Sequence, residues 1–220
     1  MKNFYLIIDF DSTFVQIEAL ERLADISLKG VKNKARILST IAKITNQGMS
    51  GKIPFDQSIG RRLKLFAPKR ENIRELIGIL KEKITKSILI NKDFFRLNHE
   101  RIYVISGGFF DYIWPVIKEF GIKKSHVLAN RFVENGNGLT YDKKSLLAQE
   151  KGKVKQIKEL NLKGQVFVVG DGYTDWEIKK LGVADKFFAF TENIDRPVVV
   201  EKADYIVNNF QDFLLIFNRL

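Results

Sequence analysis

Six short runs rich in β-branched and aromatic residues recur along this chain of 220 residues: FYLII (4–8), RIYVIS (101–106), HVLANRF (126–132), QVFVVG (165–170), KFFAF (186–190) and YIVN (205–208). Runs of this length and composition read as strands. Between and after the later runs stand amphipathic stretches at 110–120, 145–160, 173–181 and 210–219, which read as helices. Strands alternating with helices of about a dozen residues build βαβ units, so the expected fold is α/β, a mostly parallel Rossmann-like sheet flanked by helices. RFVENGNGLTY breaks the alternation: its Asn-Gly punctuation predicts a β-hairpin with the turn near 134–138.

The first two runs are too far apart for an ordinary crossover. The intervening chain carries helical patterns at 14–25, 31–46, 54–66 and 70–84, and Pro54 suits the first turn of one of them. The expected organisation is therefore a catalytic core from 1–13 and 88–220, with a small helical cap inserted at 14–87.

Apolar content of 45% and charged content of 29% exclude a disordered tail. The absence of cysteine excludes a disulfide framework, a thiolate nucleophile and cysteine-ligated zinc. Neither a signal peptide nor a membrane span is legible, so a cytoplasmic chain is expected. A net charge of +11 invites a nucleic-acid reading. The cations are nevertheless spread along the chain, with modest knots at 61–70 and 143–158, and no recognition helix or stacking signature accompanies them. Lysines solvating helix faces, with an attraction for a small anionic metabolite, is the better reading.

In open α/β sheets, ligands bind beyond the carboxyl ends of the strands. Strand 4–8 delivers Asp9 and Asp11 there. Strand 101–105 delivers Ser106, Gly107 and Gly108, and strand 165–169 delivers Asp171 with Thr174 and Asp175 behind it. One such cluster is an ordinary cap or turn signal. Three on one sheet edge describe a site. Converging carboxylates repel one another unless a hard cation sits among them, and oxygen donors suit Mg²⁺. Asp9 and Asp171 are the expected ligands, with Asp175 in reach of the ion or its waters. A carboxylate beside a metal-held phosphate can attack phosphorus, and Asp11 has the strand period that brings it to the same face, as a general acid and base. Ser106 and the backbone of Gly107 and Gly108 suit the phosphate oxygens. Lys151 and Lys153 both qualify as the accompanying cation, and composition does not choose between them. GMSGKI (48–53) is not a P-loop: positions 46 and 53 are Asn and Ile, and no strand precedes it.

DFDST, ISGGF, the lysine of EKGKV and GDGYTDWE resemble, in order, the four motifs of the haloacid dehalogenase (HAD) phosphatases. DFDSTFVQIEALERLAD, GMSGKIPFDQSIGRRL and VLANRF extend the resemblance over nearly the whole chain, to the phosphoserine phosphatase branch of that family. The resemblance implies a HAD-like core. It makes Asp9 the nucleophile and Asp11 the general acid/base. Mg²⁺ would be held by Asp9, the backbone carbonyl of Asp11, Asp171 and Asp175. Ser106, Gly107, Lys151 and Thr174 would hold the phosphate. Glu18 would meet the substrate ammonium and Arg62 its carboxylate, with Met49 and Phe55 lining the apolar side.

The chain departs from the family pattern in places. The run between Glu18 and Met49 is several residues longer, and Ser50 stands where glycine is usual. Tyr173 and Trp176 are bulky, and TENIDRPVVVEKA follows its counterpart only loosely. The expected function is a Mg²⁺-dependent phosphomonoester hydrolase acting through an aspartyl-phosphate on L-phosphoserine. The alternatives are a phosphatase or phosphotransferase for another small phosphorylated metabolite and, more remotely, a basic nucleic-acid-binding protein with a vestigial site.

Overall fold

A computed structural model describes residues 3–136 and 138–220. Its centre is a six-stranded sheet with every neighbouring pair parallel. The strands are β1 (Phe4–Ile8), β2 (Ile102–Phe109), β3 (Val127–Asn130), β6 (Gln165–Gly170), β7 (Lys186–Phe190) and β8 (Tyr205–Val207), in the order β3-β2-β1-β6-β7-β8. Two further short strands, β4 (Phe132–Glu134) and β5 (Leu139–Tyr141), pair antiparallel with Phe132 opposite Tyr141. This is the expected hairpin, although Asn137 within its turn lies outside the described residues.

The unbroken apolar character of FYLII follows from its central place. Leu6 and Ile8 face one apolar core, while Ile7 faces a second with Val166 and Val168. A strand buried on both faces has no polar side to alternate with.

Between β1 and β2 lie α1 (Ala19–Ser27), α2 (Lys34–Met49), α3 (Phe55–Leu63) and α4 (Arg70–Glu82). The helix α1 packs on α2 and α4, and α2 packs on α3. Two short helices not anticipated from the sequence, α5 (Lys86–Ile90) and α6 (Lys92–Leu97), lead into β2. The rest of the core carries α7 (Phe110–Ile117), α8 (Gly152–Leu160), α9 (Tyr173–Lys180), α10 (Pro197–Val200) and α11 (Phe210–Phe217). Among the described residues no helix is long and apolar enough to cross a membrane.

Four of the differences from the expected boundaries have a local reason. The helix expected from residue 14 begins at Ala19, because residues 10–14 form a tight turn in which Val15 N–H donates to Phe10 O at 3.0 Å and Ser12 takes φ 52°. The run 126–132 divides at Arg131, and its last part leaves the sheet for the hairpin. The stretch 145–160 divides into a helical turn at Leu146–Ala148 and α8, with Lys151 between them at φ 57°. Ser106, Gly107 and Gly108 do not follow β2 but form its last turns of chain, where the pairing with β3 shifts register between Ile105 and Phe109.

Candidate active site

The carboxyl ends of β1, β2 and β6 bring the polar clusters together. Asp9 follows β1 directly; its N–H still pairs with Val169 O at 3.0 Å, so the sheet fixes its backbone. Its side chain is buried, and Lys153 Nζ sits 2.7 Å from Oδ1. The same ammonium lies 2.8 Å from Asp175 Oδ1. Burial opposes the charge on Lys153, but Asp175 and then Asp9 outweigh it and hold the ammonium above its usual range.

The tight turn after Asp9 aims Asp11 back toward the site. Asp11 Oδ1 accepts from Ala19 N–H at 2.7 Å, so this carboxyl also satisfies a free donor at the start of α1. Burial first, then Glu18 and Asp9, push the Asp11 carboxyl well above the ordinary carboxylate range. A carboxylic acid that keeps its proton is what a general acid requires.

Asp171 and Asp175 stand beyond β6. Oxygens of Asp9, Asp171 and Asp175 lie within 4.8 Å of one another, all three buried. Burial holds the Asp175 carboxyl at about 8, with Asp9 adding to the effect. Asp171 is likewise raised by burial, though Arg196 works against it. Three buried hard oxygen donors side by side fit a divalent cation, which would offset the burial that holds Asp171 and Asp175 above the ordinary carboxylate range. Asp11 contributes no carboxylate to this cluster; the resemblance brings it to the metal through its backbone oxygen.

The side facing β2 is shaped for an oxyanion. Ser106 is buried, and its Oγ accepts from Gly108 N–H at 2.9 Å, so the serine occupies one of the two backbone donors expected there. Gly107 O accepts from Asn130 Nδ2 at 2.9 Å. A cavity of about 180 Å³ opens beside these residues, lined by Phe55, Gly107, Lys151, Lys153, Tyr173 and Thr174 among others. The two lysines are not equivalent. Lys153 is buried against Asp9, whereas the Lys151 side chain is 48% exposed at the cavity wall, 3.7 Å from Glu150.

From the other side come residues between β1 and β2. Phe55 lies over Gly107, where a Cβ would meet its ring at 2.2 Å. Gly51, in the turn after α2 at φ 73°, sits so close to the Tyr173 ring that a Cβ there would approach it to 2.7 Å. Met49 Sδ stands near Gly172. Ser50 Oγ donates to Gln47 O at 3.3 Å, within its own helix end. Glu18 Oε1 accepts from Ser12 Oγ at 2.9 Å, and burial, with Asp171 behind it, holds its carboxyl at about 7. Arg62 is 5% exposed and reaches only neutral partners, Thr45 Oγ1 at 3.3 Å and Ser58 O at 3.4 Å. Among the described residues no ion pair holds it, though Glu18 and Asp11 act on it through space. A buried guanidinium without an anion is prepared for one.

Two contributors escaped the sequence reading. Thr13 Oγ1 donates to Asp171 Oδ1 at 3.0 Å, which orients that carboxylate. Arg196 Nε donates to Asp171 Oδ2 at 2.9 Å and its Nη2 to Glu18 Oε1 at 3.1 Å. The signal for Arg196 was present: it follows β7, whose carboxyl end shares the same sheet edge, and no motif marks it.

Residues 6–178 match the description of a haloacid dehalogenase-like hydrolase. The phosphoserine phosphatase of Bos taurus is 31% identical over 211 residues, covering 94% of this chain and 89% of its own. That of Methanocaldococcus jannaschii is 28% identical over 215 residues, covering 94% and 92%. The crystal structure of a phosphoserine phosphohydrolase-like protein from Francisella tularensis superposes with a TM-score of 0.86 at 28% identity, covering 98% of this chain and 99% of that one. With its parallel sheet, its helical insertion after β1 and its buried carboxylates at the sheet edge, the chain belongs to the haloacid dehalogenase-like hydrolases and, among them, resembles the phosphoserine phosphatases.

Proposed function

We propose that this protein is a Mg²⁺-dependent phosphoric monoester hydrolase that converts L-phosphoserine to L-serine and phosphate through an aspartyl-phosphate on Asp9. The observation that carries the reading is the placement of Asp9. It is a buried carboxylate at the end of the central strand, 2.7 Å from an ammonium and clustered with two further acids. The phosphoserine phosphatases it resembles, at about 30% identity along nearly the whole chain, favour the particular substrate.

An Asp9 oxygen attacks phosphorus as the ester P–O bond breaks, and Asp11 gives its proton to the departing serine oxygen. Asp11, now a carboxylate, takes a proton from a water that attacks the phosphoaspartate, releasing phosphate and restoring Asp9. Asp9, Asp171 and Asp175 would hold Mg²⁺, with the backbone oxygen of Asp11; its chemistry is to neutralise charge on the transferring group. Lys153 pairs with Asp9 and holds it in place, while Ser106, Gly107, Thr174 and Lys151 line the path of the phosphate oxygens. Arg62 would receive the substrate carboxylate and Glu18 its ammonium, beside the apolar wall of Met49 and Phe55. A cysteine-free chain fits a reducing cytoplasm as its place of work.

The test is phosphate release with Mg²⁺ from L-phosphoserine, D-phosphoserine, phosphothreonine and sugar phosphates, with and without acceptor alcohols. L-phosphoserine is expected to lead the panel. Stimulation by an alcohol would make the protein a phosphotransferase. Magnesium-independent, salt-sensitive binding of nucleic acid without turnover would overturn the enzymatic reading altogether.

A further inference from the structure

Arg196 lies in the segment 191–203 that follows its family counterpart only loosely, and it is placed where it bears on what the site accepts. Each of its three guanidinium nitrogens has a separate acceptor: Asp171 Oδ2 at 2.9 Å, Asn46 Oδ1 at 3.3 Å and Glu18 Oε1 at 3.1 Å. Its side chain is 10% exposed, and its backbone leads directly into Pro197 at the start of α10. The arginine is therefore clamped against Glu18 by partners on α2 and beyond β6.

Glu18 is the one carboxylate available to a substrate ammonium in the proposed pose, and Arg196 has already paired with it. Oε1 accepts both Arg196 and Ser12, which leaves Oε2 for a ligand. An ammonium at Oε2 would join the Arg196 guanidinium on the same carboxylate. The gain from the substrate amine is thereby reduced, because like charges a few ångströms apart in a partly buried site repel. The substrate carboxylate has no such competitor, since Arg62 is held only by neutral groups.

We propose that Arg196 is a specificity-determining residue. By pairing with Glu18 it relaxes the demand for an amine, so that phosphate esters of small hydroxy acids, which keep the carboxylate and lack the ammonium, are hydrolysed alongside phosphoserine. The inference rests on the phosphatase reading and on Arg62 taking the carboxylate. It concerns binding only; the bonds made and broken are those already described.

The experiment compares kcat/KM for L-phosphoserine with that for its amine-free counterpart, O-phospho-3-hydroxypropanoate. It uses the full chain with saturating Mg²⁺, in the wild type, Arg196→Met and Glu18→Gln. Because both esters share the metal and the nucleophile, the ratio cancels any effect of Arg196 on Asp171. The wild type is expected to favour phosphoserine by no more than about tenfold. Arg196→Met is expected to raise that preference at least about tenfold, through a lower KM for phosphoserine, as a carboxylate freed of its pair binds an ammonium more tightly. Glu18→Gln is expected to hold the ratio near one. A wild-type preference of about a thousandfold would overturn the proposal without any variant, as would an Arg196→Met enzyme that slows both esters equally. If neither these esters nor p-nitrophenyl phosphate releases phosphate, the phosphatase reading fails first and the inference with it. Turnover with a fixed, strict amine requirement sinks the inference alone.

Discussion

The two sides of the active site handle charge in opposite ways. On the core side three buried carboxylates cluster, two of them on Lys153 and the third on Arg196, and such a cluster of oxygen donors suits a cation. On the side built by the insertion, Arg62 is buried among neutral partners and calls for an anion. On the proposed reading, a phosphomonoester that carries its own carboxylate would answer both requirements at once, its phosphate beside the acids and its carboxylate at Arg62. Chemistry and recognition would then be separate tasks, and substitutions on the two sides test that independently.

The sharpest break comes from the core side. Asp9→Asn is expected to lower kcat by at least about a thousandfold for every substrate with the fold intact by circular dichroism. Substantial residual turnover would remove Asp9 from the nucleophile role. Next comes the contrast between the lysines. Lys153→Met is expected to cost about 10²-fold in kcat/KM, as loss of a charge aimed at the reacting group does, and Lys151→Met less than about tenfold. The opposite order would mean that the phosphate contact of Lys151 outweighs the pair that Lys153 makes with Asp9. On the recognition side, Arg62→Ala is expected to raise KM for phosphoserine about 10²-fold while changing that for p-nitrophenyl phosphate only a few-fold. Equal effects on both substrates would mean that the arginine supports the fold and does not read the carboxylate.

The smallest expected effect concerns stability. Burial first, with neighbouring carboxylates adding, holds Asp175 at about 8 and Glu18 at about 7, against ordinary values of 3.8 and 4.5. A carboxyl whose folded pKa is raised binds more protons folded than unfolded, so stability falls as pH climbs through that window. Metal-free protein should melt several degrees higher near about pH 5 than near about pH 8. Saturating Mg²⁺ should remove most of that slope, because a bound cation favours the ionised carboxylates. A metal-free Tm that rises with pH, measured by scanning calorimetry, would mean that the acids are relieved by some other means.

The fold and the catalytic edge were legible in the sequence because both are written locally. Strand composition locates FYLII and QVFVVG, and the polar residues that end such runs have one place to go in a parallel sheet. What was not legible depended on distance in the chain. The lysine could not be chosen by spacing, because Lys151 and Lys153 are two residues apart on a stretch whose helix begins only after a left-handed residue; where α8 starts decides which ammonium turns inward. Arg196 meets Glu18 across 178 positions and belongs to no motif. The helix expected from residue 14 begins only at Ala19, because Val15 N–H is drawn back to Phe10 O and Asp11 Oδ1 takes the N–H of Ala19, contacts that the apolar spacing after Phe14 does not reveal.

The contact of Phe55 with Gly107, and that of Tyr173 with Gly51, bear on how the enzyme admits its substrate. In both, an aromatic ring from one side comes so close to a glycine from the other that a Cβ would meet it. The fit between the two sides therefore depends on the absence of a single methyl group at each of two positions. A methyl group at Gly107 would force Phe55 away from it, and since both residues line the cavity, that one carbon would reshape the wall against which the substrate is expected to lie.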